Sequence, residues 1–180
     1  LSAFIVTEQV LARKEIERAL ARAETSEAQF RDLVDNLPEL AWNAQPDGHV
    51  DFYNRRWYEY TGATLEQMEG WGWQSVHDPA LLPIMVANWK NALATGHPFE
   101  MEFPLRRFDG VYRWFLTRAF PLRDSAGRIS RWLGTNTDID DARRERERSR
   151  ALAAELSITT ERLNAAQRVA TIGIFDWDLR

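Results

Sequence analysis

Proline and glycine are confined almost wholly to the middle of this chain, and that partition constrains the fold more than any other feature. All seven Pro lie between Pro38 and Pro121, and eight of the nine Gly between Gly48 and Gly134. Residues 8–37 and 139–170 hold neither. Pro breaks helices and Gly weakens them, so the pattern predicts two long helices bracketing a turn-rich globular zone. In the first flank Ile5, Ala12, Ala19, Ser26 and Leu33 step by seven, and so do Gln9, Ile16, Ala23, Phe30 and Leu37. This is a heptad seam with Gln9 and Ser26 as weak points. It reads as an amphipathic helix on a core or as a parallel dimer contact. In the second flank Ala142, Ser149, Leu152, Leu156, Thr159, Leu163, Ala166 and Ala170 fit steps of three and four once charged Glu145 is allowed. The run RRERERSR there reads as a solvated helix face with i,i+4 ion pairs.

Composition removes several classes of chemistry. The 180 residues suffice for one ordinary domain with extra helix, or for two very small ones. There is no Cys, which excludes disulfides, zinc–thiolate sites, cysteine nucleophiles and cysteinyl-flavin photochemistry. A net charge of −4 gives no global pointer to nucleic acid. No apolar run approaches the ~20 residues of a membrane span, and no secretory signal opens the sequence. A cytoplasmic location is expected, with membrane attachment of the parent left open. The three His (His49, His77, His97) stand in no metal-binding spacing, and no phosphate loop occurs. The phosphoacceptor and ATP-lid motifs of a histidine kinase and the GGDEF motif of a diguanylate cyclase are absent too. The segment is expected to do no covalent chemistry.

Turn chemistry divides the globular zone. Pro46-Asp47-Gly48, Asp109-Gly110 and Asp124-Ser125-Ala126-Gly127 each separate apolar or alternating stretches, a hairpin signature. Met101, Phe103 and Leu105 alternate with Glu100, Glu102 and Pro104. Leu81, Leu82, Met85, Val86, Trp89 and Leu93 have helical spacing, and Gly96 supplies a stop. The predicted order is strand, strand, short helices, long helix, then three strands.

This order resembles a PAS sensor domain of the bacterial sensor-kinase type, from about Phe30 to Arg143. The matching stretches are LVDNLPELAWNAQPDGHVDFYNRRWYEYTG, WGWQSVHDPALL, and FDGVYRWFLTRAFPLRDSAGRISRWLGTNTDID with the helix after it. The resemblance implies an α+β fold. A five-stranded antiparallel sheet would carry short helices and one long helix on one face, between N- and C-terminal signalling helices. A repeat extends the reading: Trp42 and Trp177 are 135 residues apart, and Val6 and Ile139 are 133 apart. Residues 1–29 are then a linker or coiled-coil helix, with 1–7 the tail of a preceding PAS unit. Residues 30–141 are the PAS domain, 142–170 a linker helix, and 171–180 the first strand of a following unit.

In such domains any ligand lies between sheet and helices. The resemblance nominates Trp42, Tyr53, Asn54, Trp57, His77, Trp89, Phe103, Trp114, Trp132 and Asn136 as pocket residues, with packing or hydrogen bonding as the plainer role at each. His77 in VHDP reads first as a loop-shaping cap. No cofactor is expected. Haem-binding relatives use a His on the long helix, and Pro79 to Thr95 has none. The Trp residues could stack a non-covalent flavin, but aromatics filling the core explain them better. The Thr137-Asp138-Ile139-Asp140 stretch resembles the family's exit motif, with Asp140 where Thr is usual. Asp138 is expected to cap the output helix, and Asp138 and Asp140 to carry signal output. The expected assembly is a homodimer through the flanking helices and outer sheet face. Neighbouring PAS units and an output domain would share the parent chain. Neither nucleic-acid nor direct membrane contact is expected. The function implied is a sensory or relay module, most readily of a sensor histidine kinase. The alternatives are a ligand-free dimerisation spacer or a PAS module of a diguanylate cyclase.

Overall fold

The computed structural model describes residues 2–175, with side chains over 13–168. Ile5, Gln9 and Ala12 of the seam, the repeat marker Val6, and Ala170 therefore lie outside the described side chains, and Trp177 and Arg180 outside the described residues. Two compact units divide the chain, residues 1–138 and 139–180.

Five strands form the sheet of the first unit: β1 (Leu40–Ala44), β2 (Val50–Tyr53), β3 (Phe99–Arg106), β4 (Tyr112–Arg123) and β5 (Ile129–Asp138). Their order is β2-β1-β5-β4-β3, and every pair is antiparallel. Each hairpin sits where the sequence placed a turn. Asp47 Oδ1 accepts from the His49 N–H at 2.9 Å, and Asp124 Oδ1 from those of Ala126 and Arg128, both at 2.9 Å. Short aspartates close these turns because their carboxylates reach the backbone two residues on.

Alternation along the strands sorts the side chains. Trp42, Phe115, Thr117, Ala119, Trp132 and Asn136 are buried on the inner face. Between β2 and β3 run α2 (Arg55–Thr61), α3 (Leu65–Met68), a 3-10 turn (Gly72–Val76) and α4 (Leu82–Thr95). They close that face. Trp89 of α4 meets Trp42 and Trp132 edge-on, at centroid distances of 5.6 and 5.1 Å. Pro83 lies in the first turn of α4, where no N–H is needed, and Gly96 ends it at φ 67°. The five-stranded sheet with helices on one face is the arrangement the resemblance implied.

Helix α1 spans Ser2–Asp35, so the boundary expected at residue 30 falls inside a helix. Its last turns touch the sheet: the Phe30 ring lies 6.3 Å from that of Phe52, and Val34 is buried. Leu33 of the same turns is exposed, as are Ile16 and Leu20 farther back. The second unit holds α5 (Asp140–Phe175), tied internally by Arg143–Glu147 at 3.2 Å and Arg144–Asp140 at 2.9 Å. One reading of the termini is corrected: residues 171–175 of the strand expected over 171–180 are helical. A lone strand has no neighbour to take its hydrogen bonds, whereas a helix makes its bonds within itself.

Candidate functional site

Between sheet and helices the first unit holds a cavity of about 40 Å³. Of the ten nominated residues, Trp42, Tyr53, Trp57, His77, Trp89, Phe103 and Asn136 line it. Val50, Trp73, Met85, Phe99 and Thr117 complete the wall.

Polar atoms in this wall are few. Trp42 Nε1 donates to Asn136 Oδ1 at 2.8 Å, across the β1–β5 pair. That bond requires the indole to lie flat on β5, and Gly134 permits it: a Cβ there would stand 2.2 Å from the Trp42 ring. Tyr53 Oη donates to the Met68 carbonyl at 3.3 Å, and burial pushes its hydroxyl pKa well above the ordinary range. His77 packs its ring 4.5 Å from Phe103, and its Nδ1 lies 2.7 Å from the Trp73 carbonyl. A carbonyl can only accept, so Nδ1 carries the proton and Nε2 keeps a lone pair. Burial depresses the His77 pKa to about 4, against the opposing effect of the Trp73 bond. The imidazole is therefore neutral at pH 7. Because His77 also ends the 3-10 turn, this geometry matches the capping role read from VHDP.

Two further polar atoms of the lining, Thr117 Oγ1 and Trp57 Nε1, are buried without a hydrogen-bond partner. A hydroxyl and an indole N–H left so cost about 1–3 kcal/mol each unless something in the cavity satisfies them. A water needs roughly 10–15 Å³ of such space. The cavity therefore has room for water or a solute of similar size, while drug-sized ligand sites begin near 300 Å³.

Three nominated residues are not in the lining. Asn54 is wholly buried but works on the backbone: Oδ1 accepts from the N–H groups of Ala41 (3.0 Å) and Trp57 (3.3 Å). Its Nδ2 donates to the carbonyls of Val34 (3.1 Å) and Glu39 (2.9 Å). One side chain thus ties α1, β1 and α2 together. Trp132 is fully buried behind Trp89. Trp114 is corrected more fully, because it stands one residue out of phase with inward-facing Phe115 and lies on the outer face. Sequence reasoning did not nominate Val50, Trp73, Met85, Phe99 or Thr117. Thr117 stands in phase with buried Phe115 and Ala119, a phase that apolar Leu116 hides in the sequence, and helical spacing already placed Met85 among the apolar residues of α4.

At the end of β5, Asp138 accepts from Arg113 Nε at 2.7 Å and from Nη2 at 3.4 Å. One residue, Ile139, separates Asp138 from the first residue of α5. Asp140 is buried and pairs with Arg144 one turn on.

A sheet in this order, closed by these helices over an aromatic cavity, defines an α+β sensor-type fold. Residues 50–136 match the family described as the PAS fold, and the chain carries a PAS domain. It is 37% identical over 130 residues to the Sinorhizobium fredii protein y4lL, covering 72% of this chain and 16% of that protein. It is 36% identical over 126 residues to the peroxide stress-activated histidine kinase mak1 of Schizosaccharomyces pombe, covering 68% of this chain and 8% of the kinase. The crystal structure of a PAS domain from Colwellia psychrerythraea superposes with a TM-score of 0.53 at 18% identity, over 63% of this chain and 97% of that one. The chain thus spans less than a fifth of the length of either of these two relatives. Among the described residues no helix is long and apolar enough to cross a membrane, and no group of His, Asp and Glu is placed to hold a metal ion.

Proposed function

We propose that this segment is a sensory or signal-relay PAS module of a larger signalling protein, a sensor histidine kinase, acting without a resident cofactor and as a homodimer. The observation that carries the reading is the interior cavity with two unsatisfied polar atoms. A packed spacer has no use for them, whereas a module that responds to its interior does. Asn136, in the same wall, stands two residues before Asp138, at the point where the sheet gives way to α5. A change in the cavity that moves β5 reaches the output helix through Asp138 and Asp140. Such a switch needs only a few kcal/mol of bias between two states. The kinase relative mak1 supports the choice of output. The exposed seam residues Ile16, Leu33 and Leu37, with Phe120 and Leu133 on the outer sheet face, support association of two copies. The spacer reading is favoured by one observation, the small cavity volume.

The test is Asp138→Ala in the intact parent. Loss of a helix cap or a half-exposed ion pair costs about 0.5–2 kcal/mol, which a domain of roughly 5–15 kcal/mol survives. We expect kinase output to shift or lose its regulation, while the melting temperature of the domain moves by only a few degrees. Unchanged regulation, or outright unfolding, makes Asp138 a structural residue and removes the coupling argument.

A further inference from the structure

A second hollow, of about 340 Å³, opens on the surface of the first unit and shares Asn136 with the interior cavity. Leu40 at the start of β1, Tyr60 of α2, Phe108 at the β3–β4 tip and Phe115 of β4 give it an apolar, largely aromatic wall. Its volume falls within the roughly 300–1,000 Å³ of small-molecule sites.

The charges around it do not cancel. Four charged side chains line the cleft: Arg56, Glu59, Arg107 and Asp138. Three have partners of opposite sign beyond the lining. Glu59 pairs with Arg55 at 3.3 Å, Arg107 with Asp109 at 3.0 Å, and Asp138 with Arg113 at 2.7 Å. Arg56 is exposed and has no hydrogen bond or ion pair among the described residues. One positive charge is thus uncompensated.

Asn136 gives the independent sign of a ligand. It is 2% exposed and lines both the cleft and the interior cavity. The Trp42 indole can only donate, so its bond to Asn136 fixes Oδ1 in place. The Asn136 amide nitrogen is left with two N–H donors and no acceptor among the described residues. An amide donor in the cleft wall, an unpaired guanidinium and an aromatic lining together suit a flat apolar body carrying one negative charge. Guanidinium and carboxylate match in charge and in bidentate geometry.

We propose that this cleft binds a small aromatic monocarboxylate, its carboxylate on Arg56 and its ring against Tyr60 and Phe108. The inference does not depend on the sensory reading of the interior cavity. Because Asn136 holds the Trp42 indole, occupancy of the cleft is also felt inside the domain.

The experiment uses the 180-residue chain with sodium benzoate as probe. Calorimetry measures affinity, and the Trp42 indole N–H resonance reports the link to Asn136. Acetate supplies the charge without the ring, and benzyl alcohol the ring without the charge. We expect saturable benzoate binding that shifts the Trp42 resonance, with both controls at least about tenfold weaker. A charge-assisted hydrogen bond is worth about 1.5–3 kcal/mol, so Arg56→Met should weaken benzoate about tenfold or more. Phe108→Ala should weaken it less. Both residues are exposed, and unchanged melting curves will verify that the variants fold. Absence of saturable binding, equal affinity for acetate, or full affinity in Arg56→Met overturns the proposal.

Discussion

Along β4, the inner face presents Phe115, Thr117 and Ala119, all buried, while the outer face presents Arg118, Phe120 and Leu122 to solvent. The two faces belong to the same strands and obey different rules. Inside, contacts are van der Waals distances between large rings, and the space is nearly filled. Outside, charged pairs cross the strands: Arg118 to Glu100 at 2.7 Å and Arg131 to Asp51 at 2.8 Å. Between them stand apolar side chains that nothing in the described chain covers; Phe120 is 53% exposed and Leu133 40%. They are also direct partners in the β4–β5 register. The inner face specifies the fold, and the outer face has surface to spare for association.

Three experiments would break or sharpen this contrast, in descending order of effect. Gly134→Ala strikes the inner face hardest. Its new methyl would sit 2.2 Å from a Trp42 ring already packed on Trp89, so the indole must leave the place where it bonds Asn136. We expect a loss of about 3 kcal/mol or more, a fall of roughly 10 °C in melting temperature, measured by denaturant titration and calorimetry. A near-neutral result would mean the inner face is looser than its geometry.

His77 gives the next effect. Its folded pKa of about 4 lies below the ordinary value of 6.5, so between these the unfolded chain binds the extra proton. The stability from keeping His77 neutral is complete above pH 6.5 and falls away as the pH drops toward 4. The difference amounts to about 3 kcal/mol by linkage. Comparing stability against pH for the parent chain and His77→Gln isolates this term. The two curves should converge as the pH is lowered, and parallel curves would show that burial of the ring is not the cause.

The smallest change in stability is expected outside. The double substitution Phe120→Asp with Leu133→Asp should alter folding stability by less than about 1 kcal/mol, because both side chains already meet solvent. It should nevertheless shift the chain toward monomer in sedimentation experiments if the outer face holds two copies together. A large loss of stability would show that this face is covered within one chain.

Much of the fold was legible because its signals are local. Aspartate–glycine turns fixed the hairpins, and Gly96 fixed the end of α4. The face each strand residue occupies was harder. In Tyr112-Arg-Trp114-Phe115-Leu-Thr117-Arg-Ala119-Phe120, the larger apolar residues Trp114 and Phe120 sit outside while Thr117 and Ala119 sit inside. Hydrophobicity alone therefore assigns Trp114 to the core and passes over Thr117. Burial on the inner face is decided by what α4 brings against it, chiefly Trp89, and small residues opposite a bulky one are what packing requires. Asn54 was legible as polar and buried. Its four backbone partners come from three elements and the residue before β1, brought together only by folding, so its role as a tie could not be read from its neighbours in sequence.

The strand order carries a consequence for how such a unit can be built into longer chains. Leu40, where the sheet begins, pairs directly with Asn136, two residues from where it ends. Residues paired in an antiparallel ladder lie about 4.5–5.5 Å apart, so some hundred residues are looped out from two points almost touching. Such a unit can be spliced into a polypeptide, or deleted from it, at the cost of one short gap to bridge. Lengthening the β3–β4 or β4–β5 hairpin would leave that gap unchanged, so these tips are where length can vary without disturbing whatever the two ends are joined to.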